Sequence, residues 1–335
     1  MKDYLLVDTV DKTLTPSEVL EREISPAGHA LSVDVEDWYN AAVLALGRRV
    51  IPPTEAVVRN TERLLLLFAE MRVQATWFFL GEVADSFPGL VRRVAEAGHE
   101  LGAHGYHHHR LQELDPAGFR RSLGRAKDVI EQAGGQRVRG HRAVAFSMGR
   151  ETWWAMEALA ELGFDYDSSV FPFRGVRYGM SGAPLSPYPV RTRRGTLWEV
   201  PLSVVRWAGL RIPACGGGYL RHFPLAFTRA ALRCLERERR RAVVYLHPYE
   251  LDVDYDAGYL RQWLPAVSHR RLRWLRWTQY RRRAGTIPKL RRLLAEFSFG
   301  TLAAMLGTGR VNPTPSVPLP RAPEGGSSGP TLSTF

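Results

Sequence analysis

Glu100-Leu101-Gly102-Ala103-His104-Gly105-Tyr106-His107-His108 is a short apolar run leading into a histidine-rich turn. Read as a strand, the run ends at His104, and the turn after it carries His108 back beside His104. Two imidazoles four positions apart can then face one point. Upstream, Leu31-Ser32-Val33-Asp34-Val35-Glu36-Asp37-Trp38 is a second strand-like run that ends in three carboxylates. Asp34 lies within its apolar part, where an unpaired charge is costly, so the cluster calls for a cation. Two histidines and one carboxylate, with positions left for water, are a common donor set for a catalytic Zn²⁺, and non-haem Fe(II) uses the same set.

Outward from these two stretches, strand-like and helix-like segments alternate. Strands are expected at Ala30 to Asp34, Val73 to Leu80, His99 to Ala103, through Val138, at Phe164 to Asp167, Trp198 to Val205 and Ala242 to Leu246. Helices are expected at Thr54 to Glu70, Phe87 to Ala97, Asp115 to Gln132, Arg150 to Leu162, Pro224 to Arg240 and Lys289 to Phe299. Such alternation implies parallel pairing and right-handed crossovers, and the fold class expected is α/β, a distorted (β/α) barrel. Reactive groups in these barrels sit at the C-terminal ends of strands. Asp34, His104, Arg142, Asp167 and His247 each fall at or just past such an end.

The chain has 335 residues, 45% of them hydrophobic, enough for one barrel-sized core. Cys215 and Cys234 are the only cysteines, so no disulfide framework is implied. The first thirty residues include Asp3, Asp8, Asp11, Glu18, Glu21 and Glu23 and lack a long apolar stretch, which does not fit a secretory signal. A cytoplasmic location is expected. The net charge of +12 is carried almost wholly by arginine, and His269 to Arg283 interleaves seven arginines with Trp274, Trp277 and Tyr280. That segment suggests a peripheral contact with an acidic membrane surface, while nothing besides charge points to nucleic acid. Four regions are expected: a polar extension over 1–29, the barrel over 30–255, an arginine-rich C-terminal helical extension over 256–310 packing on the barrel, and a disordered Pro/Gly/Ser tail over 311–335.

Several segments together resemble the NodB-type polysaccharide deacetylases, carbohydrate esterase family 4. They are Leu31 to Trp38, Ala75-Thr76-Trp77-Phe78-Phe79-Leu80-Gly81, Gly98 to His104, and Tyr245-Leu246-His247-Pro248. Gly140-His141-Arg142-Ala143, Tyr166 to Pro172, Gly216-Gly217-Gly218-Tyr219-Leu220 and the arginine-rich segment look closest to the branch associated with exosortase and exopolysaccharide clusters. The resemblance covers roughly residues 30 to 300. It implies Asp34 as general base, His104 and His108 as metal ligands and His247 as general acid. It also implies Arg142 as the group holding the base, Asp167 as the residue orienting the acid histidine, and a divalent metal, with Zn²⁺ expected. The implied substrate is an N-acetylated polysaccharide or oligosaccharide.

The chemistry is consistent with that resemblance. Amide hydrolysis needs an activated water, a stabilised oxyanion and a proton for the leaving amine. A backbone N–H near Ala145 is expected to serve the oxyanion. The family usually has two adjacent aspartates, whereas Asp34 is followed by Val35, Glu36 and Asp37; either Glu36 or Asp37 could complete the metal set, with Glu36 preferred. Val144 stands where the family has proline, which should loosen the loop. Glu199, Gly217 and Tyr219 are expected near the sugar. Two rival readings remain: a carbohydrate-binding barrel with little catalysis, and an Fe(II) enzyme.

Overall fold

A computed structural model describes residues 28–40, 51–175, 179–253 and 267–307. The polar extension up to residue 27 and the tail expected at 311–335 lie outside the described residues. The strands are β1 (His29–Val35), β2 (Thr76–Phe79), β3 (Glu100–Ala103), β4 (Gly140–His141), β5 (Tyr166–Asp167), β6 (Tyr188–Thr192), β7 (Gly195–Glu199), β8 (Val204–Trp207), β9 (Leu210–Pro213), β10 (Val243–Leu246) and β11 (Phe299–Gly300). The main sheet runs β10-β1-β2-β3-β4-β5-β7-β6; β6 is antiparallel to β7, β11 pairs with β1 in parallel, and β8 and β9 form a separate hairpin. The path from β10 to β6 is a curled half-barrel of the (β/α) type with helices outside it.

Helices α1 (Glu55–Met71), α2 (Gly81–Ser86), α3 (Pro88–Glu96), α4 (Pro116–Gly134) and α5 (Ala155–Glu161) form the crossovers of the first half. In the second half follow α6 (Gly217–His222), α7 (Leu225–Arg237), α8 (His269–Tyr280), α9 (Thr286–Glu296) and α10 (Leu302–Met305). Local chemistry sets their ends. Thr54 caps α1 through its side chain, and Asp115 caps α4 ahead of Pro116.

Side-chain alternation divides the core into two layers. Leu31, Val33, Val35, Trp77 and Phe79 face outward into the core beneath the helices. Ala30, Phe78, Tyr166, Val243 and Tyr245 face into the half-barrel. Strand register sets Asp34, Phe78, Gly102, Gly140, Tyr166 and Trp198 in one row across the interior. The two glycines make room for large neighbours: a Cβ on Gly102 would lie 2.4 Å from the Phe78 ring, and one on Gly140 would lie 2.1 Å from Tyr166. Continuing each strand by two residues brings His104, Arg142 and Ser168 to the same side.

Several expected elements differ. The helix read over Lys289 to Phe299 is α9, Thr286–Glu296, and Phe299 lies in β11 instead. The strand read through Val138 forms instead at Gly140–His141, since the Val138 N–H is taken by Glu131 Oε1. Trp198 to Val205 is not one strand: β7 stops at Glu199, Pro201 has no N–H to donate, and β8 begins at Val204. The helix read from Arg150 starts five residues later, at Ala155. The C-terminal segment reaches the bottom of the barrel, where β11 pairs with His29–Ala30, the Leu302 N–H bonds Thr76 Oγ1 and the Ala303 N–H bonds Glu100 Oε2.

Candidate metal centre and active site

The turn after β3 is built around His104. Its N–H bonds the Phe79 carbonyl, and the N–H groups of Gly81 and Glu82 bond the carbonyls of Gly105 and Tyr106, so the β3 turn is laced to the β2 turn. Gly105 takes φ +85°, the left-handed region that glycine adopts without strain. His104 Nε2 and His108 Nε2 each lie 2.9 Å from Glu36 Oε1. Among the described residues, Glu36, His104 and His108 are the group able to hold a metal ion, with one donor atom from each within 4.8 Å of the others.

The donor chemistry fits a cation. His104 Nδ1 lies 2.8 Å from the Arg142 carbonyl, which can only accept, so that nitrogen carries the ring proton. Nε2 then offers a lone pair to a carboxylate oxygen, and something positive must lie between them, either a second proton or a metal ion. Two ligands bonded at about 2.0 Å to one tetrahedral ion stand about 3.3 Å apart, close to the spacing found. Burial pushes the Glu36 carboxyl up, but His108, His247 and the bond from His104 outweigh it and hold Glu36 well below the usual range.

Asp37 is a correction to the expected metal set. It is wholly buried, but its carboxylate accepts from the Trp38 N–H at 2.7 Å and from Thr54 Oγ1 at 2.7 Å, fastening the start of α1 instead of joining the histidines. Burial raises its pKa to about 6 despite those bonds.

Asp34 and His247 flank the cluster. Asp34 Oδ1 accepts from Arg142 Nη1 at 2.7 Å, and Oδ2 lies 3.8 Å from His247 Nε2. Arg142 is fully buried, and three more of its five N–H groups bond Ser32 Oγ, the Ser168 carbonyl and Ser168 Oγ, with the guanidinium 4.4 Å above the Phe78 ring. The guanidinium therefore has one orientation available. His247 stacks on Tyr249 with ring centroids 4.7 Å apart. Burial alone would lower the His247 pKa, yet the Glu36, Glu250 and Asp34 carboxylates raise it to about 9.

Glu250 is the residue that the sequence reading missed. It is 2% exposed; Oε2 accepts the His247 N–H at 3.1 Å and lies 3.4 Å from His247 Nδ1, while Oε1 faces Arg221 at 3.9 Å. The signal was present in His247-Pro248-Tyr249-Glu250, which is the spacing of a capping box.

Asp167, expected to orient His247, does something else. It sits on the opposite face of the sheet, where Oδ1 is 2.7 Å from His141 Nδ1 and accepts from Ser169 Oγ at 2.7 Å. Glu199 pairs with it across β5 and β7 and is fully buried, so it cannot contact a sugar; its Oε1 accepts from the Val170 N–H. No N–H or O–H of the described residues reaches Asp167 Oδ2 or Glu199 Oε2. A proton on the Glu199 carboxyl would supply a donor there, and burial together with the Asp167 charge pushes that carboxyl well up.

The remaining expected substrate contacts are placed as follows. Ala145 and Phe146 have φ of 52° and 51°, a strained pair next to the site. Their loop is pinned without a proline, because Ser147 accepts from Leu111, Gln112 and Thr152. Gly216 and Gly217 lie against Tyr245, whose ring a Cβ at either position would meet at 2.2 or 2.7 Å. That packing against Tyr245 leaves no room for a side chain at either position. Tyr219 is half-buried near Phe171 and Phe223.

Residues 52–166 match the family model "Polysaccharide deacetylase", and residues 168–307 match "Domain of unknown function (DUF3473)". The second match runs through the boundary expected at residue 255. The chain is 32% identical over 97 residues to a peptidoglycan-N-acetylglucosamine deacetylase of Bacillus cereus, covering 29% of this chain and 34% of that protein. It is 31% identical over 113 residues to a peptidoglycan deacetylase of Helicobacter pylori, covering 32% and 36%. The chain thus spans about a third of the length of these curated relatives. A solved Mycobacterium smegmatis structure bearing the polysaccharide deacetylase name is 24% identical, with a TM-score of 0.50 over 73% of this chain and 88% of that one, a likeness of fold. Residues 52–166, which include His104 and His108 of the strand-end site described above, thus match the polysaccharide deacetylase family model, and the solved structure shares the fold.

Proposed function

We propose that this protein is a divalent-metal-dependent deacetylase that removes N-acetyl groups from amino sugars of an exopolysaccharide or its precursor. The observation that carries the reading is the convergence of Asp34 and His247 on either side of the Glu36, His104 and His108 cluster. The names of the curated relatives support an N-acetylated glycan as substrate. The exopolysaccharide assignment rests on the resemblance to the exosortase-associated branch. We read the ion as Zn²⁺ and the location as cytoplasmic; no described helix is long and apolar enough to cross a membrane.

Glu36, His104 and His108 would hold the ion. When bound, such an ion supplies a Lewis acid that lowers the pKa of water from about 15.7 toward roughly 7 and polarises an acetyl carbonyl. Asp34 accepts the proton of the attacking water at Oδ2, the oxygen that Arg142 leaves free. Because Arg142 is locked by Ser32 and Ser168, its charge-assisted bond keeps Asp34 aimed. His247, protonated at neutral pH and positioned by Glu250, donates the proton to the departing amine.

The test is acetate release from N-acetylglucosamine oligomers. We expect chelator to abolish it, and His104→Ala to lower it about 10³-fold or more with the fold retained. Normal turnover by His104→Ala would sink the site, and oxygen uptake by an iron-loaded protein would favour the rival Fe(II) chemistry.

A further inference from the structure

We propose that the outer face of α8 docks the protein on an anionic phospholipid bilayer, beside the active-site rim. Helix α8 carries Arg270, Arg271, Arg273 and Arg276 and no acidic residue. All four are exposed, and none makes an ion pair with a described carboxylate. Trp274 and Trp277 are 47% and 61% exposed on the same helix, large apolar rings in a place where a soluble surface gains nothing from them. Positions 270, 274 and 277 recur at helical spacing, and just past the helix end the Arg281 guanidinium lies 5.2 Å from the Trp277 ring. Tryptophan interleaved with arginine is the composition of a headgroup-level anchor, the rings entering the interface while the guanidinium groups meet lipid phosphates.

The inner face fixes where such a bilayer would lie. Leu272 and Leu275 are buried in one cluster with Trp38, Tyr39 and Tyr249. Trp38 follows the carboxylates Glu36 and Asp37, and Tyr249 is the ring stacked on His247. Arg221 donates to the carbonyl of Gln279 at 2.6 Å, and the Arg283 guanidinium lies 3.8 Å from the Tyr280 ring, tying the end of α8 to the same rim. A second exposed tip, Trp207 and Leu210 on the β8–β9 hairpin at 70% and 65% exposure, is likewise flanked by Arg206 and Arg211.

A soluble polysaccharide is the competing occupant. The exposed stripe of α8 offers no carboxylate or amide to accept bonds from sugar hydroxyls, whereas arginine and tryptophan alone are sufficient for an anionic lipid surface. Charge complementarity therefore favours the bilayer.

The test is flotation of the full chain with vesicles of phosphatidylcholine alone and of phosphatidylcholine mixed with phosphatidylglycerol. We expect binding to the anionic vesicles only, weakened by added salt. Combined Arg270→Gln, Arg271→Gln, Arg273→Gln and Arg276→Gln should reduce it by about five-fold per arginine. Trp274→Ala with Trp277→Ala should reduce it roughly ten-fold or more. Unchanged melting temperatures and unchanged acetate release from a soluble oligosaccharide would show that both variants fold and that the surface acts separately from the chemistry. Equal binding to both vesicle types, no binding, or variants that bind like the parent would each overturn the proposal. So would retention by a soluble acidic polysaccharide in the absence of vesicle binding. Vesicle binding by a protein that releases no acetate would leave the docking surface standing and remove the hydrolytic reading instead.

Discussion

Two buried histidine–carboxylate clusters lie at the ends of the strands, on opposite faces of one sheet. Inside the half-barrel, Asp34, Arg142 and His247 stand beside Glu36, His104 and His108. Beneath the helices, His141, Asp167 and Glu199 form a sealed set, with His141 edge-on to Phe119 of α4 at 5.8 Å. Residue types are nearly the same in the two clusters. What differs is one step along the strand, which sends a side chain to the other face. The inner set has Arg142 paired with Asp34, whereas no arginine or lysine pairs with the outer set among the described residues, and burial beside the Asp167 charge pushes the Glu199 carboxyl up.

Of the substitutions that separate the two clusters, Arg142→Leu should have the largest effect. It leaves Asp34 buried without its partner, so we expect about 3–5 kcal/mol of destabilisation and a loss of acetate release of about 10²-fold or more, read by melting and by kcat/KM. Retained activity in a folded variant would mean that the inner row is not the working face.

Glu250→Gln should matter less. It removes a negative neighbour of His247, so the pKa near 9 falls and the protonated acid is lost sooner as pH rises. The alkaline limb of the kcat/KM profile should move to lower pH, with a drop of roughly ten-fold at neutrality, inside the range of about 10²–10⁴ that a positioned acid contributes. A pH profile superimposable on the parent's would remove Glu250 from the reaction.

Glu199→Gln should have the smallest effect, since an amide can donate where a protonated carboxyl does. Acetate release should stay within about two-fold and stability within about 1 kcal/mol in mild acid. The folded protein keeps the Glu199 proton at a pH where the unfolded chain has lost it. That contribution to stability is fully present below the ordinary carboxylate range and is lost as pH rises toward the elevated value. The variant should therefore show a flatter melting-versus-pH curve than the parent; equal slopes would contradict a raised Glu199 carboxyl.

Much of this was legible in the chain. Apolar runs ending in Asp34, His104 and His247 announced strands with chemistry at their tips, and three carboxylates in four positions announced a cation. Face parity was legible too but was not applied: with Asp34 and Ser32 inward, and Arg142 two positions past Gly140, the inward residue of the next strand is Ser168, not Asp167. The choice between Glu36 and Asp37 depended on Thr54, which lies seventeen residues on and comes close only once α1 is docked. The β8–β9 hairpin was missed because its turn, Ala208-Gly209, takes positive φ at both residues without the Asn-Gly or Asp-Gly pair that usually signals it.

The pairing of β11 with the root of β1 has a consequence for biogenesis. The strand that bears Asp34 is among the earliest parts of the described chain to leave the ribosome, yet its base is completed by residues 299 to 305, among the last. Contacts of such wide sequence separation form late. A nascent chain would thus be denied a finished β1 until residues 299 to 305 have emerged, so shorter fragments are kept from presenting Asp34 in its final frame by the order of assembly itself.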